Sequence, residues 1–287
     1  MSEVGPGTLV LVATPIGNLG DLSGRAREVL GVVDVVCCED TRRTRALLSA
    51  SGLPAGPGRL ISLHEHNEAA RTPELLSWLA EGKTVALVSD AGTPAISDPG
   101  HRVVAAAVAA GFAVTTVPGP SAVLAALVVS GLETDRFCVE GFLPRKGAAR
   151  RRRLEALAAE ERTAVLLEAP GRTASLLRDL LEACGVRPVA ICRELTKLHE
   201  EVWRGQLDEA VSSFAERELR GEVVIVLGGA NPAPPIDDDT VAAAVSARLV
   251  AGDSPRRAAD AVAAALGVPR RRAYAEALVQ RGNGPQA

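Results

Sequence analysis

The stretch Thr84–Ala110, "TVALVSDAGTPAISDPGHRVVAAAVAA", contains a strand, a polar loop and a helix in succession. Its apolar beginning, 84–89, predicts a buried β-strand, and its alanine-rich end predicts a helix over 99–110. The loop between them is rich in Asp, Pro and Gly. It has neither the G-x-G-x-x-G spacing of a dinucleotide-binding loop nor the Gly-Lys-Ser/Thr of a nucleotide P-loop.

The same order of elements recurs through the first part of the chain, where β-type runs alternate with helical segments such as 67–80. This alternation predicts an α/β fold with a mainly parallel sheet built from strands at 8–13, 35–38, 60–63, 84–89 and 113–117. In such a sheet the ligand crevice lies beyond the carboxyl ends of the strands. The candidate site loops are therefore 14–21, 39–43, 64–67, 89–98 and 118–121.

A second set of strands is predicted at 136–142, 163–168, 188–193, 201–206 and 222–227, with helices near 148–160, 173–184 and 208–217. The link between the third and fourth of these strands is too short for a helical crossover, so we expect a mixed sheet. The predicted domains are an N-terminal α/β domain (1–118), a C-terminal α/β domain (119–230), a linker (231–239) and a small helical tail (240–287). The tail contains two short helices joined at 267–269, which suit a helix-turn-helix-like appendage or a small helical cap.

Composition is that of a globular protein: 47% of the 287 residues are hydrophobic, enough for two compact domains. The N-terminal stretch lacks a basic region, and the longest apolar run, Val103 to Val114, is too short to span a bilayer. We therefore expect a cytoplasmic location. The five cysteines follow no C-x-x-C spacing and are expected to be buried free thiols; they are Cys37, Cys38, Cys138, Cys184 and Cys192.

The net charge of −3 provides no global attraction to nucleic acid, but 29 of the 32 basic residues are Arg, and they are clustered. The aromatic content of 2% argues against a platform that stacks several bases. Phosphate contact is the predicted role of the two basic clusters, and a solvated charge run is the alternative. Their members are Arg42, Arg43, Arg45, Arg145, Lys146, Arg150, Arg151, Arg152 and Arg153.

The two Asp residues of the opening loop have different expected roles. Asp98 precedes Pro99 and is expected to cap the following helix. Asp90 lies at the strand end, where it either takes part in a site or forms an Asx turn. After the strand at 113–117, Gly119 and Pro120 precede an alanine-rich helix whose free amides suit an anion, although an ordinary interdomain turn is the alternative.

Polar residues after the second and third strands are the candidates for proton handling; they are Glu39, Asp40, His64, Glu65 and His66. His64 and His66 share one face of an extended segment but lack a clear third ligand, so hydrogen bonding or substrate contact is favoured over a metal site. Helix capping by Asp40 and Asn67 and simple solvation of the glutamates are the structural alternatives.

Seven motifs occur in one order: "VATPIGNLGDLSGRAREVL", "CCEDTRRTRALL", "LISLHEHNE", "ALVSDAGTPAISDPG", "VPGPSAVLAAL", "TDRFCVEGFLPRKGAARRRRLEAL" and "CRELTKLHEEVWRG". Together they resemble the bacterial small-subunit ribosomal RNA cytidine 2'-O-methyltransferases, a branch of the tetrapyrrole methylase superfamily. The resemblance covers about residues 8 to 229. It implies two α/β domains with S-adenosylmethionine in the cleft between them, usually in a homodimer.

The implied reaction methylates the ribose 2'-hydroxyl of a cytidine in the decoding region of 16S rRNA. Expected partners are 16S rRNA or the small ribosomal subunit and a second copy of the chain, with no membrane and no DNA. The donor-binding residues that the resemblance implies are Thr14, Pro15, Ile16, Gly17, Asn18, Asp90, Ala91, Gly92, Thr93, Pro94, Pro118, Gly119, Pro120, Ser121, Ala122, Glu168, Ala169, Pro170, Arg193, Glu194 and Leu195.

The segment "LLEAPGRTASLL" departs from the family pattern, because Ala169 and Gly171 stand where Ser and His are expected. Only backbone contacts are available from these two residues. Methyl transfer from a sulfonium needs no metal and no covalent nucleophile, although one of the five polar candidates above could serve as a base. Two other functions fit parts of the sequence: methylation of a tetrapyrrole precursor, and non-catalytic RNA binding or ribosome assembly.

Overall fold

The computed structural model describes residues 5–56, 58–231 and 236–282. The chain forms two compact units that meet in sequence between Ala230 and Asn231. Within these ranges, the first unit contains two five-stranded sheets and the second contains three helices. No helix within the described ranges has the length and apolar character needed to cross a lipid bilayer.

The first sheet is wholly parallel, as predicted from the alternation of strands and helices. Its strand order is β3-β2-β4-β1-β5. Helices on both faces cover its central strands, and every residue of β2 and β4 is buried. The strands are β1 (Thr8–Val12), β2 (Val35–Cys38), β3 (Leu60–Ser62), β4 (Val85–Leu87) and β5 (Ala113–Val117).

The second sheet is mixed, with the order β6-β7-β10-β8-β9. Only β6 and β7 are parallel, and the other neighbours are antiparallel. The short link between β8 and β9 makes them an antiparallel pair, as expected from its length. The strands are β6 (Phe137–Phe142), β7 (Thr163–Glu168), β8 (Pro188–Arg193), β9 (Glu201–Gln206) and β10 (Val223–Leu227).

Helices pack on both sheets through small and branched apolar residues. Cys37 and Cys38 lie in the cores on opposite faces of the first sheet, as their adjacency on a strand predicts. All five cysteines are free thiols, but only Cys37, Cys38 and Cys192 are buried. The expectation of burial is wrong for Cys138 and Cys184, which are partly exposed. The helices of the first unit are α1 (Gly24–Val32), α2 (Thr41–Ala50), α3 (Glu68–Ala80), α4 (His101–Ala109), α5 (Ala122–Ser130), α6 (Gly147–Ala159), α7 (Thr173–Cys184) and α8 (Leu207–Phe214).

The prediction that Asp98 caps the helix after the opening loop is wrong. Helix α4 begins at His101, and its capping position is Gly100, which has a φ of 131° and no side chain. The cap comes from another helix: Glu68 Oε1 accepts the amide hydrogens of Gly100, Arg102 and Val103 at 3.1, 2.9 and 3.3 Å. Glu68 is buried, so this carboxylate neutralises the amino end of α4 in a low-dielectric setting.

The described residues of the second unit form three helices, whereas the sequence pattern predicts two: α9 (Asp238–Val250), α10 (Pro255–Leu266) and α11 (Arg270–Gly282). Helix α9 begins inside the predicted linker because Asp237 accepts the Thr240 amide at 2.7 Å and caps it. Residues 232–235 of that linker lie outside the described residues. Buried Val241, Val245 and Val262 form the core of this unit.

Candidate functional site

The loops after β1 and β4 are joined at the carboxyl ends of these neighbouring strands. The Thr14 and Gly92 backbones form a two-hydrogen-bond bridge, with N···O distances of 2.9 and 3.0 Å. Gly92 has a φ of 85°, and a Cβ added there would lie 3.3 Å from Ile16 Cγ2. A side chain at position 92 would therefore be strained and would crowd the neighbouring loop.

The loop after β5 joins the same assembly. Thr93 Oγ1 donates to the Pro120 carbonyl at 3.0 Å, and Gly119 packs so closely on Ala13 that a Cβ would approach its side chain to 3.1 Å. Ser121 caps α5 by accepting the Leu124 amide hydrogen. Three loops predicted from separate strands thus form one continuous surface.

That surface forms one wall of a cavity of about 630 Å³, and the second sheet forms the other. This volume is within the range of small-molecule sites. Among the residues predicted to bind the donor, the cavity is lined by Ile16, Asp90, Ala91, Gly92, Thr93, Ser121, Ala122, Glu168, Ala169 and Pro170. The remaining lining residues are Glu39, Asp40, Arg43, Ile96, Ser97, Asp98, Val123, Phe142, Leu167, Gly221, Glu222, Val223 and Val224.

Asp90 is held in place by the loop after β2. One carboxylate oxygen accepts the Asp40 amide hydrogen at 3.0 Å, and the other lies 3.4 Å from Arg43 Nη1. Asp40 itself caps α2 by accepting the Arg42 amide hydrogen at 2.8 Å. The resulting contacts link the strand ends of β2 and β4 and bring Arg43, predicted to contact RNA, to the edge of the cavity.

Carboxyl groups dominate the charge of the cavity. Burial, and then the negative charges of Glu39 and Asp90, raise the pKa of Asp98 from 3.8 to about 6. Partial desolvation and the neighbouring Asp90 also raise the pKa of Glu39. Crowded carboxyl groups of this kind favour a cationic ligand, because a positive charge would relieve their mutual repulsion.

Asp98→Asn is expected to stabilise the protein above pH 6. Below pH 3.8 the Asp98 carboxyl is protonated in both the folded and the unfolded protein. Between pH 3.8 and about pH 6 it stays protonated in the folded protein but loses its proton in the unfolded protein. The free energy of unfolding of the wild type therefore falls as pH rises through this window, by about 1–2 kcal/mol after allowance for solvent screening. Urea unfolding at pH 4 and pH 7.5 measures the difference. The exposed Asp135→Asn serves as control, and an Asp98→Asn variant that loses stability at pH 7.5 would contradict this account.

The second sheet contributes Glu168 at the end of β7. Its side chain is only 1% exposed, and Oε1 accepts the Ala169 amide hydrogen at 2.7 Å and pairs with Arg172. A Cβ added to Gly171 would meet nothing within 4 Å. The departure from the family pattern at this position therefore leaves open space and no packing defect.

Some predicted donor residues lie outside the cavity lining. Arg193 pairs with Glu201 at 3.1 Å, Glu194 pairs with Lys197 at 2.8 Å, and Leu195 is buried in an apolar core. These residues support the walls of the cavity without lining it. The others outside the lining are Thr14, Pro15, Gly17, Asn18, Pro94, Pro118, Gly119 and Pro120.

Of the five candidates for proton handling, Glu39 and Asp40 line the cavity, and His64, Glu65 and His66 do not. The rings of His64 and His66 are 6.0 Å apart, and the buried His64 Nδ1 has no hydrogen-bond partner among the described residues. No group of three possible metal ligands occurs in the described part of the chain. Asn67 does not cap α3. Its side-chain oxygen accepts the His64 amide hydrogen, and its side-chain nitrogen donates to the Ser62 carbonyl.

Some residues of the two basic clusters form ion pairs within the protein, and others project into solvent. Arg150 is engaged with Asp179, at 2.6 Å, so its predicted contact with phosphate would need this ion pair to break. Arg42 and Arg153 pair with Asp40 and Glu140. The residues that project into solvent at α2 and α6 include Arg45, Arg145, Lys146, Arg151 and Arg152.

Sequence reasoning predicted Glu168, Ala169 and Pro170 at the end of β7 but missed the segment of the second sheet that begins at Gly221. Gly221 and Glu222 precede β10, and β10 is antiparallel to β7 with Val223 opposite Glu168. The amino end of β10 therefore lies beside the carboxyl end of β7. The predicted mixed sheet could have indicated this contribution. A strand antiparallel to β7 has its preceding loop, not its following loop, at the carboxyl end of β7.

A family model described as Tetrapyrrole (Corrin/Porphyrin) Methylases matches residues 8–211. The chain is 49% identical to the Ribosomal RNA small subunit methyltransferase I of Mycobacterium tuberculosis (strain ATCC 25618 / H37Rv), over 96% of this chain and 95% of that protein. It is 44% identical to the protein of the same name from Synechocystis sp. (strain ATCC 27184 / PCC 6803 / Kazusa), over 97% and 100%.

Two solved structures share the fold at low identity. A uroporphyrin-III-C-methyltransferase from Thermus thermophilus is 24% identical with a TM-score of 0.54, over 77% of this chain and 94% of that one. A diphthine synthase is 15% identical with a TM-score of 0.60, over 77% and 89%.

Proposed function

This chain belongs to the tetrapyrrole methylase family, and we propose that it is a ribosomal RNA methyltransferase acting on the small subunit. The reaction is transfer of a methyl group from S-adenosylmethionine to the ribose 2'-hydroxyl of a cytidine in the decoding region of 16S rRNA. The observation that carries the proposal is 44–49% identity to ribosomal RNA small subunit methyltransferases I along nearly the whole chain. A cavity of suitable size and charge supports it.

The cavity fits the donor chemically. S-adenosylmethionine supplies an electrophilic methyl group on a positively charged sulfur. Several carboxyl groups line the cavity. Arg43 is the single basic residue in the described part of its lining, and it is already paired with Asp90. The surrounding loops present glycine and small residues, so their backbone amides and carbonyls are accessible to an uncharged ring or an amino-acid end.

We propose Glu39 as the base that takes the proton of the attacking hydroxyl. It lines the cavity, and its raised pKa makes it a stronger base than an ordinary carboxylate. Asp40 is less suited, because hydrogen bonds from Arg42 lower its pKa to about 2. As the oxygen–methyl bond forms and the carbon–sulfur bond breaks, Glu39 accepts the hydroxyl proton.

The exposed basic residues of α2 and of the segment entering α6 would contact the RNA backbone. Such contacts position an RNA without reading its sequence, and they weaken steeply with salt. We further propose that the protein acts as a homodimer in the cytoplasm, where the ribosomal RNA is available. Leu124 and Val128 of α5 are exposed apolar residues that a second copy could cover.

Asp90→Ala is expected to weaken binding of S-adenosylmethionine by about tenfold. The change removes a carboxylate from the cavity and frees Arg43, so the site becomes less favourable to a cation. Calorimetry at pH 5.5 is the measurement, with Asp98→Ala as comparison, because Asp98, with a pKa of about 6, is then mostly neutral. At equal folded fraction, a larger loss in Asp98→Ala would overturn this assignment.

The function itself is tested by incubating the protein with labelled S-adenosylmethionine and either small subunits or naked 16S rRNA, then mapping the label. Label on the ribose of one cytidine is the expected result. A parallel incubation with a tetrapyrrole precursor tests the other chemistry of the family. Transfer to the tetrapyrrole alone, or rRNA binding without transfer, would refute the proposal.

A further inference from the structure

Among the residues that the structure describes, Phe142 is the one aromatic residue that lines the cavity, and 55% of it is exposed. Burying a phenylalanine side chain stabilises a protein by about 1.5–3 kcal/mol. Much of this stabilisation is absent at Phe142, because its ring is largely exposed. The chain has only four Phe residues. An aromatic ring left exposed at a cavity is therefore a candidate contact for a flat ligand.

A β-bulge in β6 directs Phe142 toward the cavity. Val139 is paired with Val165, but Gly141 is paired with Leu166, so Glu140 is one extra residue in the strand. Without it, Phe142 would share the face of Cys138, which packs against the buried core. With it, Phe142 lies beside Leu167, which also lines the cavity.

A strained turn lies against the same bulge. Gly141 has a φ of 63°, and a Cβ there would lie 3.1 Å from Ser97 Oγ. Ala95 and Ser97 have φ angles of 66° and 61°, which non-glycine residues rarely adopt. Between them, Ile96 lines the cavity with 51% of its surface exposed.

We infer that Phe142 and Ile96 form an apolar slot for the base of the target nucleotide. This inference rests on the proposed function and names a contact that selects its substrate. Arg145 and Lys146 follow Phe142 by three and four residues and are exposed, so an RNA held by its phosphates there would present an adjacent base to the ring. The low aromatic content excludes a platform for several bases, but a single ring suffices for one nucleotide extruded from its stack.

The test compares Phe142→Ala with Phe142→Tyr, which keeps the ring, and with Val139→Ala, an exposed apolar residue of the same strand that does not line the cavity. Methyl transfer to small subunits or 16S rRNA gives kcat/KM, calorimetry gives the Kd for S-adenosylhomocysteine, and fluorescence anisotropy gives the Kd for an rRNA fragment. Phe142→Ala should lower kcat/KM for RNA by about 5-fold to 100-fold. Its Kd for S-adenosylhomocysteine should stay within twofold of wild type, and both control variants should remain near wild type.

An equal loss of S-adenosylhomocysteine affinity in Phe142→Ala would mean that the ring contacts the donor, and it would overturn the inference. Unchanged kcat/KM and unchanged rRNA affinity would do the same. If the wild-type protein binds rRNA but transfers no methyl group, the proposed function is refuted and the inference about the slot remains open to test. In that case a weaker rRNA affinity of Phe142→Ala would still support the slot, and an unaltered affinity would refute it.

Discussion

Glu68→Ala is expected to lower the free energy of unfolding by about 3 kcal/mol, the largest stability change that we predict for a single side chain. One buried carboxylate oxygen accepts hydrogen bonds from three amides at the start of α4. Removing it leaves those donors without their acceptor and takes a negative charge from the amino end of a helix. The midpoint of thermal unfolding should fall by about 6–12 °C for a unit of this size.

Two further variants separate capping from packing. Glu68→Gln keeps an acceptor oxygen and should cost clearly less than Glu68→Ala, because only the charge is lost. The exposed Glu65→Ala is the control and should remain within about 0.5 kcal/mol of wild type. Urea unfolding gives the free energy of unfolding of the three variants, provided that its slope against urea concentration is the same for each. A Glu68→Ala variant as stable as the control would show that α4 does not depend on this cap.

Glu39→Gln is expected to lower kcat for methyl transfer by about 10²-fold or more, because a general base typically contributes 10²-fold to 10⁴-fold. The amide is close in size to the carboxylate but cannot accept the hydroxyl proton. The KM for RNA and the affinity for S-adenosylhomocysteine should change little. Single-turnover rates at saturating RNA measure the chemical step directly.

The pH profile distinguishes a base from a merely structural residue. The raised pKa of Glu39 predicts that the rate of the wild type rises with pH over a window above the usual range of a glutamic acid, and that Glu39→Gln loses this dependence. Glu65→Gln, an exposed substitution outside the cavity, is the matched control. A Glu39→Gln rate equal to that of the control would eliminate the assignment.

Much of the site could be predicted from the sequence because it follows from the geometry of parallel sheets. Loops at the carboxyl ends of neighbouring strands must meet, and Thr14, Gly92 and Pro120 do so. The interpretation of Asp98 failed for a different reason. Its local sequence, Asp followed by Pro, suits a helix cap, but Glu68 of another helix already occupies that role.

The amino-acid sequence alone predicts the α/β class, the strands of both sheets, the mixed pairing of the second sheet and the family. These properties depend on local patterns and on the order of motifs along the chain. The three-dimensional fold was needed to learn which residues line the cavity, that Glu68 caps α4 and that a bulge directs Phe142 to the site. Each of these features depends on contacts between residues far apart in the chain. A local sequence pattern does not specify which distant residues will pack against it.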